Sequence, residues 1–244
     1  MINMSEGIVR ARQFWKKNPL GVVVILGPTA SGKTSYSIEM AKVLGNIEII
    51  SVDSRQVYKQ GDIASGKISL SQMQGIVHHG LNLLEAHEGM NAWEFAVYAE
   101  AKIQEIQARK NYAVLCGGTM LWLAGLVKRY GFTGAGKKIQ QNPMRKYLLL
   151  GVYRERKVLY ERINKRCREM IKEGLVGEAW EIFQLKNIHH NLKTMVGYDD
   201  SIAYMMGQMT QTEMLRKFQQ RTRKYAKRQL TWWRKQEDIT WIGE

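Results

Sequence analysis

The chain is short of cysteine, of long apolar runs and of acid. Its two cysteines, Cys116 and Cys167, exclude a disulfide scaffold; both sit among apolar neighbours and read as buried, reduced thiols. No apolar stretch approaches the roughly 20 residues that a bilayer-spanning helix needs. Residues 1–20 carry Arg10, Arg12, Lys16 and Lys17 but no apolar signal core, so they read as a short amphipathic helix or a frayed leader rather than a secretion signal. There is no internal repeat and no low-complexity tract. The acid deficit is the most informative lack: 22 Asp and Glu face 37 Lys and Arg, a net charge of +15. It is uneven. Residues 1–122 hold 12 basic and 10 acidic side chains, and residues 123–244 hold 25 and 12. A basic C-terminal half predicts a polyanionic partner such as nucleic acid. An acidic membrane surface is the weaker alternative, since no lipidation signal or long amphipathic anchor is present.

What is present is a phosphate loop. Gly27-Pro28-Thr29-Ala30-Ser31-Gly32-Lys33-Thr34 fits the Gly, four residues, Gly-Lys-Ser/Thr pattern. The apolar Val22-Val23-Val24-Ile25-Leu26 before it reads as a buried strand, and residues 35–44 after it as a helix, which is the context the motif requires. Glycines let the backbone wrap an anion so that N–H groups and the helix N-terminus point at phosphate oxygens. Lys33 adds a point charge, and the Thr34 hydroxyl is a candidate Mg²⁺ ligand. The loop predicts phosphate or diphosphate binding without naming a reaction.

Further strands are predicted at Ile47-Glu48-Ile49-Ile50-Ser51-Val52, at Tyr112-Ala113-Val114-Leu115-Cys116, at Tyr147-Leu148-Leu149-Leu150-Gly151-Val152 and at Ile239-Thr240-Trp241-Ile242. Helices are predicted over residues 91–110, 120–128, 155–172 and 175–185, with Asn91 and Glu94 as a cap and Gly174 as a stop. Strand alternating with helix implies a parallel sheet with right-handed crossovers. Residues 61–75, 130–141 and 187–198 read as loops, and residues 201–206 as one or two helical turns. Asp53 follows the second strand, where open α/β sheets carry their chemistry; its spacing leaves open a water-mediated Mg²⁺ partner or a base. Gly117-Gly118-Thr119 allows close approach to a ligand. His78 and His79 lack a third metal-spaced partner and read as structural or loop residues.

Thr210 and Glu213 form a capping box opening a long helix over residues 211–236. Leu215, Phe218, Thr222, Tyr225, Gln229 and Trp232 follow the spacing of a buried stripe. Nine Lys and Arg in that span face one acid, Glu213. Like charges four residues apart repel, a cost that phosphates would relieve.

Taken in order, these segments resemble the tRNA dimethylallyltransferases. The resemblance rests on the phosphate loop, on Asp53-Ser54-Arg55-Gln56-Val57-Tyr58, on His78-His79, on Gly117-Gly118-Thr119, on Leu159-Tyr160-Glu161-Arg162-Ile163 with Gly174-Leu175, and on Thr222-Arg223-Lys224-Tyr225-Ala226-Lys227-Arg228-Gln229-Leu230-Thr231-Trp232. Residues 63–68 match the family's Gly-Thr-Ala-Lys-Pro stretch loosely. Asn82 stands where the family usually has Asp, Met120 replaces a Gly, and Trp122 replaces a Tyr. Residues 123–158 are too few for the family's usual helical insertion, so the chain looks like a shortened member.

The resemblance implies an α/β fold, a P-loop NTPase-like parallel sheet flanked by helices with a basic helical C-terminal part. Its expected divisions are an N-terminal extension (1–20), a catalytic core (21–152) and a helical region packing back on that core (153–244). It implies transfer of a dimethylallyl group from dimethylallyl diphosphate to N6 of an adenine next to the tRNA anticodon, with Mg²⁺ as cofactor. Gly27, Pro28, Thr29, Ala30, Ser31, Gly32, Lys33 and Thr34 would cradle the diphosphate. Asp53 would accept the amine proton, Arg223 would clamp the leaving group, and Thr119 would bond the diphosphate or the adenine. Asp53, Ser54, Arg55, Gln56, Thr119, Arg221, Lys227, Arg228 and Gln229 are the expected tRNA contacts. A cytoplasmic monomer is the expected state. Three other classes remain: a prenyltransferase of free adenine nucleotides, a nucleotide kinase, and an RNA-binding module with a decayed centre. The basic helix argues against the first. The absence of a second acidic strand end argues against the second. Lys33, Thr34, Asp53 and Thr119 argue against the third.

Overall fold

The computed structural model describes residues 1–127 and 145–243, and the loop expected over 130–141 lies outside them. In chain order the elements are α1 (Met4–Lys17), β1 (Val22–Leu26), α2 (Lys33–Leu44), β2 (Ile47–Val52), α3 (Asp62–Ser65), α4 (Leu70–Met73), β3 (His78–His79), α5 (Ala92–Ala108), β4 (Tyr112–Gly117), α6 (Met120–Val127), β5 (Tyr147–Val152), α7 (Arg156–Glu173), α8 (Leu175–Gln184), α9 (His190–Lys193), α10 (Tyr198–Met205), α11 (Gln211–Arg234) and β6 (Ile239–Ile242). The strands form one sheet in the order β3-β2-β4-β1-β5-β6. Every pairing is parallel.

All five residues of β1 are buried because both faces of the sheet are covered. Val22, Val24 and Leu26 pack with Phe95, Ile103 and Ile106 of α5 and Leu123 of α6. Val23 and Ile25 pack with Ile8, Ala11 and Trp15 of α1 and Met40 of α2. Residues 1–20 thus contribute to the second layer. Asn3 and Glu6 form a capping box at the start of α1, and Trp15 stacks on Tyr112 at 4.6 Å. A third cluster joins Leu159, Ile163 and Cys167 of α7 to Phe218 and Ala226 of α11. Among the described residues no helix is long and apolar enough to cross a membrane.

The sheet is the one the sequence predicts, with differences between its strands and at its edge. The region expected as loop over 61–75 contains α3 and α4. Glu178 of α8 accepts from the Ile63 and Ala64 N–H groups at 2.8 Å each, satisfying orphan donors at the start of α3. Residues 187–198 contain the single turn α9, and the turn expected at 201 begins at Tyr198. His78 and His79 form an edge strand beside β2, where His79 Nε2 lies 2.6 Å from Glu48 Oε2. Asn82 accepts from Lys67 Nζ at 2.7 Å.

The buried stripe of α11 is rotated from the expected one. Its buried residues are Met214, Phe218, Ala226, Gln229 and Trp233; Trp232 is 39% exposed, and Leu215, Thr222 and Tyr225 are half-buried. Large rings at 225 and 232 outweighed a small Ala226 in the periodicity. Close packing against α7 instead favours the small residue.

Candidate active site

The phosphate loop spans the carboxyl end of β1 and the first turn of α2. Gly27, at φ +144°, cannot carry a side chain, because a Cβ there would lie 2.6 Å from the Val152 carbonyl. Gly32 caps α2 in the left-handed region, and Ala30 adopts φ +62°. A non-glycine residue in that region is costly and marks an over-determined loop. The Ser31 hydroxyl is fully buried and has no hydrogen-bond partner, as a group shaped for a ligand would be. Lys33 Nζ donates to the Pro28 carbonyl at 2.7 Å. Burial lowers its pKa to about 8; Cys116 and Asp53 oppose that shift and Arg166 adds to it.

Two guanidinium groups that follow β5 in the chain grip this loop. Arg162 Nε of α7 donates to the Ala30 carbonyl at 2.8 Å, and Arg154 Nε, just past β5, to the Ser31 carbonyl at 3.2 Å. Both Nη2 atoms lie within 4 Å of where a Gly32 Cβ would stand. They are the arginines at the phosphate loop that the sequence reading missed. The rule that strand ends carry the chemistry, applied to β5, points to Arg154. Arg162 belongs to the Leu159-Tyr160-Glu161-Arg162-Ile163 segment, which carries the family resemblance but holds no local sign of the phosphate loop. Arg223, expected to clamp the diphosphate, reaches another place: it donates to Asn164 Oδ1 of α7 at 2.5 Å and lies 5.9 Å over the Tyr160 ring.

The second and third walls are the ends of β2 and β4. Gly117 meets β2 so closely that a Cβ would fall 2.1 Å from the Val52 carbonyl. That approach brings Thr119 to Ser54, whose N–H donates to Thr119 Oγ1 at 3.1 Å. Next to it, Asp53 Oδ1 accepts from the Arg55 N–H at 2.9 Å. Burial raises the Asp53 pKa, against the charges of Arg55 and Lys33. Tyr225 of α11 is raised by burial and then by the Asp53 charge. The Arg55 guanidinium bonds Ser54 Oγ at 3.2 Å and Thr194 Oγ1 at 3.1 Å. Gln56 turns inward, accepting from Ser51 Oγ and donating to the Ser65 and Gly66 carbonyls.

Of the residues of α11 expected to face RNA, Lys227 and Arg228 are exposed. With Lys224, Thr231, Trp232 and Lys235 they line a groove of about 440 Å³. Arg221 is half exposed and leans on Asp199 and Asp200 of α10 at 3.6 and 3.4 Å. Gln229 does not face RNA. It is 2% exposed, and both ends of its carboxamide are bonded inside the protein, because it sits on the packed face of the helix.

Among the described residues no group of three or more His, Cys, Asp and Glu could hold a metal. The site offers hard oxygen donors instead, the Thr34 hydroxyl and the Asp53 carboxylate. That set suits a Mg²⁺ held largely by substrate oxygens and water.

Known proteins resemble this chain in sequence and in fold. The IPP transferase family model matches residues 56–146 and 131–236. The tRNA dimethylallyltransferase of Anoxybacillus flavithermus is 31% identical, over 91% of this chain and 89% of its own. That alignment runs over 279 positions against 244 residues here, so the relative carries residues this chain lacks. The tRNA dimethylallyltransferase of Streptococcus sanguinis is 33% identical over 90% of this chain and 91% of its own. The crystal structure of the tRNA isopentenylpyrophosphate transferase of Bacillus halodurans superposes with a TM-score of 0.82 at 28% identity, covering 91% of this chain and 89% of that one.

Proposed function

The chain belongs to the IPP transferase family, and we propose that it transfers a dimethylallyl group from dimethylallyl diphosphate to N6 of an adenine next to the anticodon of tRNA, releasing diphosphate. The observation that carries this reading is the meeting of three strand ends. The phosphate loop ends β1, the Asp53-Ser54 pair ends β2, and Gly117-Gly118-Thr119 ends β4, with Thr119 bonded to Ser54.

In this reading the diphosphate lies in the loop against Lys33, Ser31 and the backbone N–H groups, with Arg154 and Arg162 closing over it. Concentrated positive charge stabilises the leaving group as the allylic C–O bond breaks. Thr34 would hold a Mg²⁺, which would supply further charge to the leaving oxygens. The adenine amine forms the new C–N bond, and its proton passes to the Asp53 carboxylate. A stacked adenine cannot enter this pocket, so the base is splayed out and inserted under α11. Lys224, Lys227 and Arg228 hold the RNA backbone by charge. Residues 21–152 serve as the catalytic core and residues 153–244 as the RNA-facing part, working in the cytoplasm where unmodified tRNA is met.

The test is a transfer assay with labelled dimethylallyl diphosphate and Mg²⁺, offering unmodified tRNA and AMP in parallel. Label in tRNA at an adenine beside the anticodon is the expected result. Label in AMP alone would move the chain to the nucleotide-prenylating class, and label in neither would refute the reading.

A further inference from the structure

One polar side chain of the basic helix points away from solvent and into the site. Gln229 Oε1 accepts from the Thr29 N–H of the phosphate loop at 2.8 Å, and Gln229 Nε2 donates to the Gly118 carbonyl at 3.0 Å. The partners fix the orientation of the amide, since an N–H can only donate and a carbonyl can only accept. The carboxamide supplies the one acceptor and the one donor that these two partners need. A carboxylate would keep the first bond, lose the second, and put a negative charge beside the loop that receives the diphosphate.

The two loops it joins carry the two halves of the reaction. Thr29 belongs to the diphosphate loop. Gly118 precedes Thr119, which is bonded to Ser54 next to Asp53. A Cβ at Gly118 would lie 2.5 Å from Gln229 Nε2, so a larger residue there has to displace the amide. We propose that Gln229 is a positioning residue that fixes the distance between the diphosphate loop and the Gly117-Gly118-Thr119 turn, and so between the leaving group and the base. Reacting groups held in near-attack geometry lose rate steeply when displaced, by about 100-fold for a misplacement of roughly 1 Å.

The kinetic arm of the test rests on the transfer reaction proposed above; the binding arm does not. Q229E and Q229M are compared with wild type for affinity toward inorganic diphosphate by calorimetry, for single-turnover transfer, for tRNA affinity and for Tm. The expected result is a loss of about tenfold or more in both diphosphate affinity and rate, with tRNA affinity and Tm little changed. Diphosphate affinity and rate within twofold of wild type in both variants would overturn the proposal, as would losses that follow Tm. G118A displaces the amide from the other side, so the double variant Q229M/G118A should lose no more than the worse single variant. Losses that multiply would overturn it. If wild type fails to modify tRNA, the diphosphate-affinity arm still decides on Gln229.

Discussion

Lys33 gives the sharpest test of the phosphate loop. Burial in the loop lowers its ammonium from the ordinary 10.5 to about 8. Near neutral pH it is mostly charged; near pH 9 it is mostly neutral. A bound diphosphate would restore the proton by supplying the counter-charge that the buried site lacks. Binding is then linked to proton uptake, and affinity falls as pH rises past the value of the free lysine. If the bound lysine returns to its ordinary value, affinity drops by about tenfold, about 1.4 kcal/mol, between pH 7 and pH 9. The assay is calorimetric titration of dimethylallyl diphosphate without RNA, at fixed Mg²⁺, in two buffers of different ionisation enthalpy. The terminal phosphate of the ligand is already ionised over most of this range, above about pH 6 to 7. Lys33→Met should bind weakly and without the slope. A flat profile in wild type, or the same slope in Lys33→Met, would refute the reasoning.

Other outcomes follow from the same geometry. Asp53→Asn should cut single-turnover transfer by about 10²- to 10⁴-fold with donor and tRNA affinity nearly kept. In wild type the rate should rise with pH through a pKa above the usual carboxylate range, since burial raises Asp53 and only its ionised form accepts the proton. Arg162→Ala should weaken diphosphate affinity by about tenfold or more, and Arg223→Ala by less, because only the first guanidinium touches the loop. Lys227→Ala and Arg228→Ala should each reduce the log–log salt slope of tRNA binding by about one. At the far edge of the sheet, burial alone would raise Glu48, but hydrogen bonds from Arg109, His79 and Asn111 hold it down at about 2. A carboxyl depressed in the folded state stabilises above its ordinary value of 4.5 and loses that contribution as pH falls toward 2. Urea unfolding of Glu48→Gln should therefore show a loss of up to about 3 kcal/mol near neutral pH that vanishes in acid.

The central strands were legible because each is an apolar run bounded by turn residues and buried on both faces. The phosphate loop was legible because its chemistry is local: eight consecutive residues contain the whole cradle. What escaped was set by tertiary packing. Arg154 and Arg162 reach loop carbonyls more than 120 residues away in sequence, and no local pattern marks such a reach. Gln229 was placed on the correct helix and in the predicted buried stripe, but was also assigned to RNA. Its sequence neighbours Lys227 and Arg228 are basic and exposed, and a polar residue among them reads as another solvent-facing contact. Only the position of the Gly118 turn shows that its carboxamide has two backbone partners inside. Arg223 shows the converse: a basic residue in a long match suggests a ligand, and the structure finds it bonded to Asn164 and over Tyr160 of α7.

The cost of crowding cations on α11 is resolved unevenly along the helix, and that unevenness bears on how RNA and chemistry are joined. Toward the N-terminal half, Arg221 leans on Asp199 and the buried Asp200, and Arg223 is bonded to Asn164. Those cations support the packing of α10 and α7. Toward the C-terminal half, Lys224, Lys227, Arg228 and Lys235 line an open groove beside the indole of Trp232. The partners that would balance them there are phosphates and unstacked bases. On the opposite face of that half lies Gln229, bonded to the phosphate loop and the Gly118 turn. One helical turn therefore presents RNA-binding charge outward and the spacing of the reactive loops inward. A displacement of α11 on binding RNA would be transmitted to Thr29 and Gly118 through the two bonds of the Gln229 amide. An amide of this kind should make tRNA binding and donor binding interdependent, and by linkage each would then change the affinity of the other by the same factor. Measuring inorganic diphosphate affinity with and without an anticodon stem-loop reads that factor directly. A ratio of one would mean that the helix holds RNA without informing the loop.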